Sequence, residues 1–189
     1  MPVVRCERCC YPQRLCLCAD IPVVATHTRI VIVRHCQERN RSSNSGRLAH
    51  LALPNSSIVD HGASDGQSAR LPSVEGAWLL FPLGETTSAA PNPPPSTLIV
   101  LDATWSQARR MYRKLPLRGL PILRLPGDGM ARQRLRQSPG PGQLSTIEAI
   151  AQALRLLEGD EAAAPLERLF DLAVARAHFS GRSRNPAYD

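Results

Sequence analysis

The sequence predicts an α/β protein: a mostly parallel sheet with helices on both faces, preceded by a small knuckle. Three observations carry this reading. Short β-branched runs, such as residues 29–33 and 96–101, alternate with segments of helical period, which is the pattern of a buried parallel sheet. Thr104-x-x-Gln107 and Ser145-x-x-Glu148 both read as capping boxes that open helices between or after those runs. Five of the six cysteines crowd into the first 18 residues. A chain of 189 residues can bury one good core with a small appended module, so residues 1–22 read as the knuckle and 23–189 as the main domain.

Taken in order, residues 29–33 form the first expected strand. Residues 41–53 form a helix that turns Leu48, Ala49, Leu51 and Ala52 inward. Residues 57–60 form a short strand and 62–73 a polar loop. A strand over 77–81 is stopped by Pro82, and the four prolines within 88–96 make a stiff surface loop. The strand over 96–101 ends at Asp102, and the capping box starting at Thr104 opens a helix to about Lys114. After the break at Pro116, residues 120–125 form another strand, and 127–142 are basic and irregular, rich in glycine and proline. The second capping box opens a helix to about Leu157, closed by Gly159. Pro165 suits the first turn of a last helix over 166–178, whose apolar stripe is Leu166, Leu169, Phe170, Ala173, Val174 and Ala177. No internal repeat is visible.

The net charge is +7, and it is concentrated. Residues 109–136 hold nine basic groups against Asp128 alone, and residues 29–47 hold five arginines against Glu38. All basic residues but Lys114 are arginine, which contacts phosphate in bidentate fashion and stacks on bases. Such clustering suggests a nucleic-acid partner. No apolar run approaches a membrane span. The start of the chain lacks the regions of a secretory signal, so a cytoplasmic protein without membrane contact is expected.

Cys6-x-x-Cys9 and Cys16-x-Cys18 are two close pairs separated by six residues. Four thiolates so spaced can surround one tetrahedral zinc ion of structural type. Cys10 competes with Cys9 for the second ligand position. Cys36 reads as a lone, half-buried thiol. Residues 1–22 are too few to hold a fold without the metal.

The sequence contains no G-x-G-x-x-G, no G-x-x-x-x-G-K-[ST] and no H-E-x-x-H. Dinucleotide binding, P-loop hydrolysis and zinc-protease chemistry lose their sequence support. The most informative stretch is Asp102-Ala103-Thr104-Trp105: a buried run ends in a carboxylate, and a helix follows with Arg109, Arg110 and Arg113 on its outer face. In open α/β sheets ligands bind beyond the carboxyl ends of strands. An acid there, followed by cations, fits chemistry on a polyanion. The competing role for Asp102 is that of a helix cap, although Thr104 supplies one already.

Four blocks stand out beside the cysteines: Arg34-His35 with Glu38 and Ser43-Asn44-Ser45-Gly46-Arg47; Leu79-Leu80-Phe81-Pro82; Asp102-Ala103-Thr104-Trp105; and Leu144-Ser145-Thr146-Ile147-Glu148-Ala149. Together they resemble the DTW-domain family, named for its Asp-x-x-Trp block. Cys36 stands where members commonly have proline after the histidine, and Ser45 where threonine is usual. The resemblance implies a tRNA-uridine aminocarboxypropyltransferase, which moves the 3-amino-3-carboxypropyl group of S-adenosylmethionine to N3 of a uridine and releases methylthioadenosine. For the bacterial branch it implies the variable loop, at position 47. It also implies a fold similar to the SPOUT class, with a C-terminal knot.

On this reading Asp102 accepts the N3 proton or orients the base. Leu80, Phe81, Pro82, Leu101, Thr104, Trp105, Leu144, Ser145, Thr146 and Glu148 surround S-adenosylmethionine, with core packing the alternative for Trp105 and helix capping the alternative for the Ser145–Glu148 block. Arg34, His35, Arg41, Asn44 and Arg47 hold substrate groups, with a solvated surface charge the alternative for each of the three arginines and a structural role the alternative for His35 and Asn44, and Arg109, Arg110 and Arg113 contact the tRNA backbone. A monomer is expected. Two other readings are an RNA methyltransferase using S-adenosylmethionine, and a noncatalytic zinc-knuckle RNA-binding protein.

Overall fold

The computed structural model describes residues 4–62, 71, 75–126 and 144–179. Its centre is a sheet of five strands, all parallel, in the order β2-β1-β4-β3-β5. The strands are β1 (Arg29–His35), β2 (Ser56–His61), β3 (Ala77–Leu80), β4 (Thr97–Asp102) and β5 (Ile122–Leu123). Four helices accompany them: α1 (Ser45–Ala52), α2 (Trp105–Lys114), α3 (Thr146–Glu158) and α4 (Asp160–Phe179).

The layers follow from alternation along β1. Ile30 and Ile32 point into a core shared with α1, α3 and α4, and Val31 and Val33 into a second core beneath α2. All four are fully buried, each contributing about 1.5–3 kcal/mol of apolar burial. β4 repeats the pattern, with Leu98 and Val100 on the first face and Ile99 on the second. Helices therefore cover both faces, as expected. α2 covers its side with Ala108 and Met111, and Phe81 stacks on Tyr112 with ring centroids 4.9 Å apart. Among the described residues, no helix is long and apolar enough to cross a membrane.

Several expected boundaries moved. α1 starts at Ser45, not near residue 41, because the Asn44 side chain accepts from Arg47 N at 2.8 Å and caps the helix there. A short 3-10 turn, Cys36–Glu38, fills part of the gap. β5 has two residues instead of six: Pro121 has no N–H, and the pairing is with β3 alone. Pro165 does not open the last helix. α4 already begins at Asp160, directly after Gly159, so Pro165 lies inside it and leaves one backbone carbonyl, that of Glu161, without its usual partner. Asp160 and Glu161 favour that earlier start by placing acids at the positive helix end.

The N-terminal residues pack into the rest of the fold. Tyr11, Leu17 and Cys9 are buried in the same core as α3 and α4. Arg176 of α4 donates to the Cys16 carbonyl and pairs with Asp20 at 2.7 Å. The basic stretch expected to be irregular, and with it the path that would form a knot, falls on residues 127–143, outside the described residues. So does most of the polar loop expected over 62–73.

Candidate active site and metal centre

The four sulfurs of Cys6, Cys9, Cys16 and Cys18 lie within 4.8 Å of one another. Cys6 and Cys18 are 3.6 Å apart, and Cys9 and Cys16 are 3.8 Å apart. Tetrahedral sulfur ligands about 2.3 Å from a zinc ion stand about 3.8 Å from each other, so this cluster is compatible with a metal ion. A hairpin positions it: Cys6 N donates to Tyr11 O, Cys10 N donates to Cys6 O, and Arg5 bridges Pro12 in antiparallel fashion. Cys9, not Cys10, completes the four; Cys10 has φ of 61° in the turn between the pairs. Burial pushes the Cys18 thiol up to about 12 and raises Cys9, while backbone hydrogen bonds from Cys9 and Arg8 lower Cys6 to about 6.

A cavity lies beyond the carboxyl ends of β3, β4 and β5, with about 910 Å³ of empty space counting its open mouth. β3 and its continuation contribute Leu80, Phe81 and Pro82; β4 contributes Val100 and Leu101, followed by Ala103. Trp105 and Ala108 come from α2, and Leu144, Thr146 and Ala149 from the start of α3. The fourth wall was not foreseen: Leu123, Arg124, Leu125 and Pro126. Among the described residues, Arg124 is the only charged side chain on the lining, and its guanidinium donates to Gly84 O. A short edge strand with no motif gave no signal for this wall; only its register against Leu79 and Leu80 brings it here.

Seven of the ten residues expected around the cofactor thus line one cavity. Thr104, Ser145 and Glu148 do not. They finish helices instead: Thr104 N donates to Gln107 Oε1 at 2.9 Å, and Ser145 N donates to the Glu148 carboxylate at 2.8 Å.

Asp102 sits between this cavity and the β1–β2 edge. Its carboxylate is 4% exposed and is not on the cavity wall. Oδ2 accepts from Asn44 Nδ2 at 2.5 Å, and Oδ1 accepts from Thr146 Oγ1 at 2.6 Å. Burial raises its pKa, and the bonds from Thr146 and Asn44 oppose that shift.

The β1–β2 edge is ionic. Buried Arg34 clamps Asp60 with two bonds, at 2.7 and 3.0 Å, and Arg39 approaches the same carboxylate at 3.9 Å. Arg41 pairs with buried Glu38 at 3.3 Å, and Arg47 donates to Arg39 O. The Cys36 thiol donates to Gly62 O at 2.7 Å, and His35 Nδ1 accepts from Gln37 N at 3.3 Å. Burial lowers the pKa of His35. The arginines expected to hold substrate here are therefore engaged within the protein. Arg109, Arg110 and Arg113 differ: all three are exposed on α2, the helix whose first residue, Trp105, lines the cavity.

A sequence profile of the DTW domain matches residues 3–178. The chain belongs to the DTW domain family. It is 32% identical over 167 residues to the mouse tRNA-uridine aminocarboxypropyltransferase 2, covering 81% of this chain and 56% of that protein. A Drosophila melanogaster relative of the same name is 31% identical over 170 residues, covering 82% and 66%. The Arabidopsis thaliana tRNA-uridine aminocarboxypropyltransferase A is 28% identical over 194 residues, covering 82% and 73%. The chain thus spans little more than half the length of the mouse relative. In fold it is similar to the SAM-dependent rRNA:acp-transferase Tsr3 of Vulcanisaeta distributa, with a TM-score of 0.52, 22% identity and coverage of 83% of this chain and 80% of that one.

Proposed function

We propose that this DTW protein is a tRNA-uridine aminocarboxypropyltransferase that uses S-adenosylmethionine as co-substrate. The observation that carries the reading is the largely apolar cavity at the carboxyl ends of β3, β4 and β5, with a cation, Arg124, on its wall and exposed arginines on α2, the helix that supplies Trp105 to it. Apolar side chains of Leu80, Leu101, Leu123 and Leu144 suit the adenosine, and Trp105 suits stacking on a base or closing the site. Arg124 suits the carboxylate of the transferred group. The sulfonium of S-adenosylmethionine has three carbons open to attack, and the one that reacts is the one held in line with the nucleophile. Uridine N3 loses its proton and bonds to the γ-carbon of the methionine side chain. The carbon–sulfur bond breaks, and methylthioadenosine leaves with the electron pair.

Arg109, Arg110 and Arg113 would hold the tRNA backbone, with the uridine at position 47 as the target. Zinc would be held by Cys6, Cys9, Cys16 and Cys18, a closed set of four thiolates that leaves no position for catalysis. Residues 1–22 then form the zinc knuckle and 23–189 the catalytic domain, a monomer of the cytoplasm. The same reading makes the fold SPOUT-like and knotted.

The test is mass spectrometry of unmodified tRNA incubated with the protein and S-adenosylmethionine. A gain of about 101 Da on one uridine, with methylthioadenosine released, is expected. A gain of about 14 Da makes the protein a methyltransferase. Binding of tRNA with no gain, indifferent to S-adenosylmethionine, makes it an RNA-binding protein.

A further inference from the structure

Asp102 has an arrangement that the reaction as written does not use. Both carboxylate oxygens are taken by side-chain donors, and the donors open two different helices. Asn44, bonded to Oδ2 at 2.5 Å, is the N-cap of α1. Thr146, bonded to Oδ1 at 2.6 Å, is the first residue of α3. Gly46 closes the site from the α1 side: a Cβ there would stand 2.6 Å from Asp102 Cγ and Oδ2. The two helix starts also meet directly, where Ile147 N donates to Ser45 Oγ at 3.4 Å. Helix N-termini leave backbone N–H groups unpaired and carry partial positive charge, so a carboxylate between two of them is well placed.

Thr146 connects this arrangement to the cavity. It lines the wall together with Leu144 and Ala149 from the same end of α3, while Asp102 does not. A proton acceptor must come within about 2.6–3.2 Å of the proton's donor atom. Here the Asp102 carboxylate is buried off the cavity wall, and each oxygen accepts from a neighbouring side chain.

We propose that Asp102 is a positioning residue: it fastens the start of α3, through Thr146, and the start of α1, through Asn44, to the end of β4, and so sets the wall of the cavity without taking the uridine proton. The proposal rests on the transferase reading only for its activity readout. It predicts that asparagine can replace this aspartate. In the Asp102→Asn variant the new amide oxygen would accept from Asn44, and the new NH2 would donate to the Thr146 hydroxyl, which can rotate to accept.

The experiment compares Asp102→Asn, Asp102→Ala and Thr146→Val in the full chain, by hydrogen exchange over the first two turns of α1 and α3 and by single-turnover transfer to tRNA. Asp102→Asn should keep exchange and transfer within about threefold of the wild type. Asp102→Ala should speed exchange at both helix starts by about tenfold or more. Thr146→Val, which is closer in shape and serves if the alanine variant fails to fold, should speed exchange at α3 alone. The proposal is overturned if Asp102→Asn is fully protected yet loses about a hundredfold or more of transfer, because the lost group is then the proton acceptor. It is also overturned if neither Asp102→Ala nor Thr146→Val alters exchange. Should the wild type modify no tRNA, the transferase reading falls while the exchange comparison still decides the anchor.

Discussion

The carboxyl edge of the sheet is divided into two unlike halves. Over β3, β4 and β5 it is an apolar hollow in which Arg124 is the single charge among the described residues. Over β1 and β2 it is packed with pairs: Arg34 with Asp60, Arg41 with Glu38, Arg47 with a backbone carbonyl. The difference teaches how to separate binding cations from structural ones. A buried charge must be paired within the protein or it costs stability, so the arginines of the ionic half are already engaged. Exposed cations, as on α2, are under no such constraint. Asp102 and Gly46 form the seam between the halves.

The largest expected effect is at that seam. Gly46→Ala places a Cβ 2.6 Å from the Asp102 carboxylate, which cannot withdraw because two side chains hold it. A destabilisation of about 3 kcal/mol is expected, read as a fall of roughly 6–12 °C in Tm for a chain of this size. An unchanged Tm would mean that the two halves are not locked together there.

Next comes a direct contrast between two arginines. The Arg34 side chain is 7% exposed and its Asp60 partner 31%. Arg34→Ala should cost about 2 kcal/mol of stability, since Asp60 is left poorly paired but reachable by water. Arg124→Ala should leave Tm nearly as it was and raise the dissociation constant for S-adenosylmethionine about tenfold, some 1.4 kcal/mol. Calorimetry of both variants checks this. If Arg124→Ala unfolds the protein while Arg34→Ala weakens the ligand, the assignment of the halves is reversed.

Removing Arg109 and Arg110 together should lower tRNA affinity and flatten its salt dependence by roughly one unit per lost phosphate contact. A salt slope equal to that of the wild type would place the RNA away from α2.

The smallest effect concerns pH, and it belongs to the ionic half. His35, His50 and His61 all have pKa values lowered by burial; Arg34 and Arg47 add to this at His50, and His35 and Lys114 at His61, while Glu38 opposes it at His35. The unfolded chain then binds more protons just below the ordinary histidine value of 6.5. Stability from these groups is present above that value and is lost as pH falls through it. Denaturant midpoints at about pH 7.5 and about pH 5.5, on either side of that value, should show the decline. Replacing His50 with glutamine should reduce it.

Much of this organisation was legible in the sequence because its causes are local. The β-branched run over residues 29–33, the Thr104–Gln107 box, and the stop at Gly159 each depend on neighbours a few residues away. The four-cysteine cluster was legible for the same reason, since all four sulfurs come from residues 6–18; only the choice of Cys9 over Cys10 needed the turn geometry. Seven cavity residues were reachable through motif resemblance. Arg124 was not, because its place depends on β5 adding to β3, a strand far away in the chain. The partners of Asp102 were equally hidden, since Asn44 and Thr146 lie 58 and 44 residues away.

The sequence by itself determined the order of the main strands and helices, the two capping boxes, the cysteine cluster and the family. Those depend on periodicity, on side chains that serve their own backbone, and on short spacings. Only the tertiary structure decided which charges are used internally and which are left for a ligand, and which side chains share a wall. Burial and pairing are properties of the assembled core: a carboxylate at the end of a strand has the same local sequence whether it meets a substrate or fastens two helices.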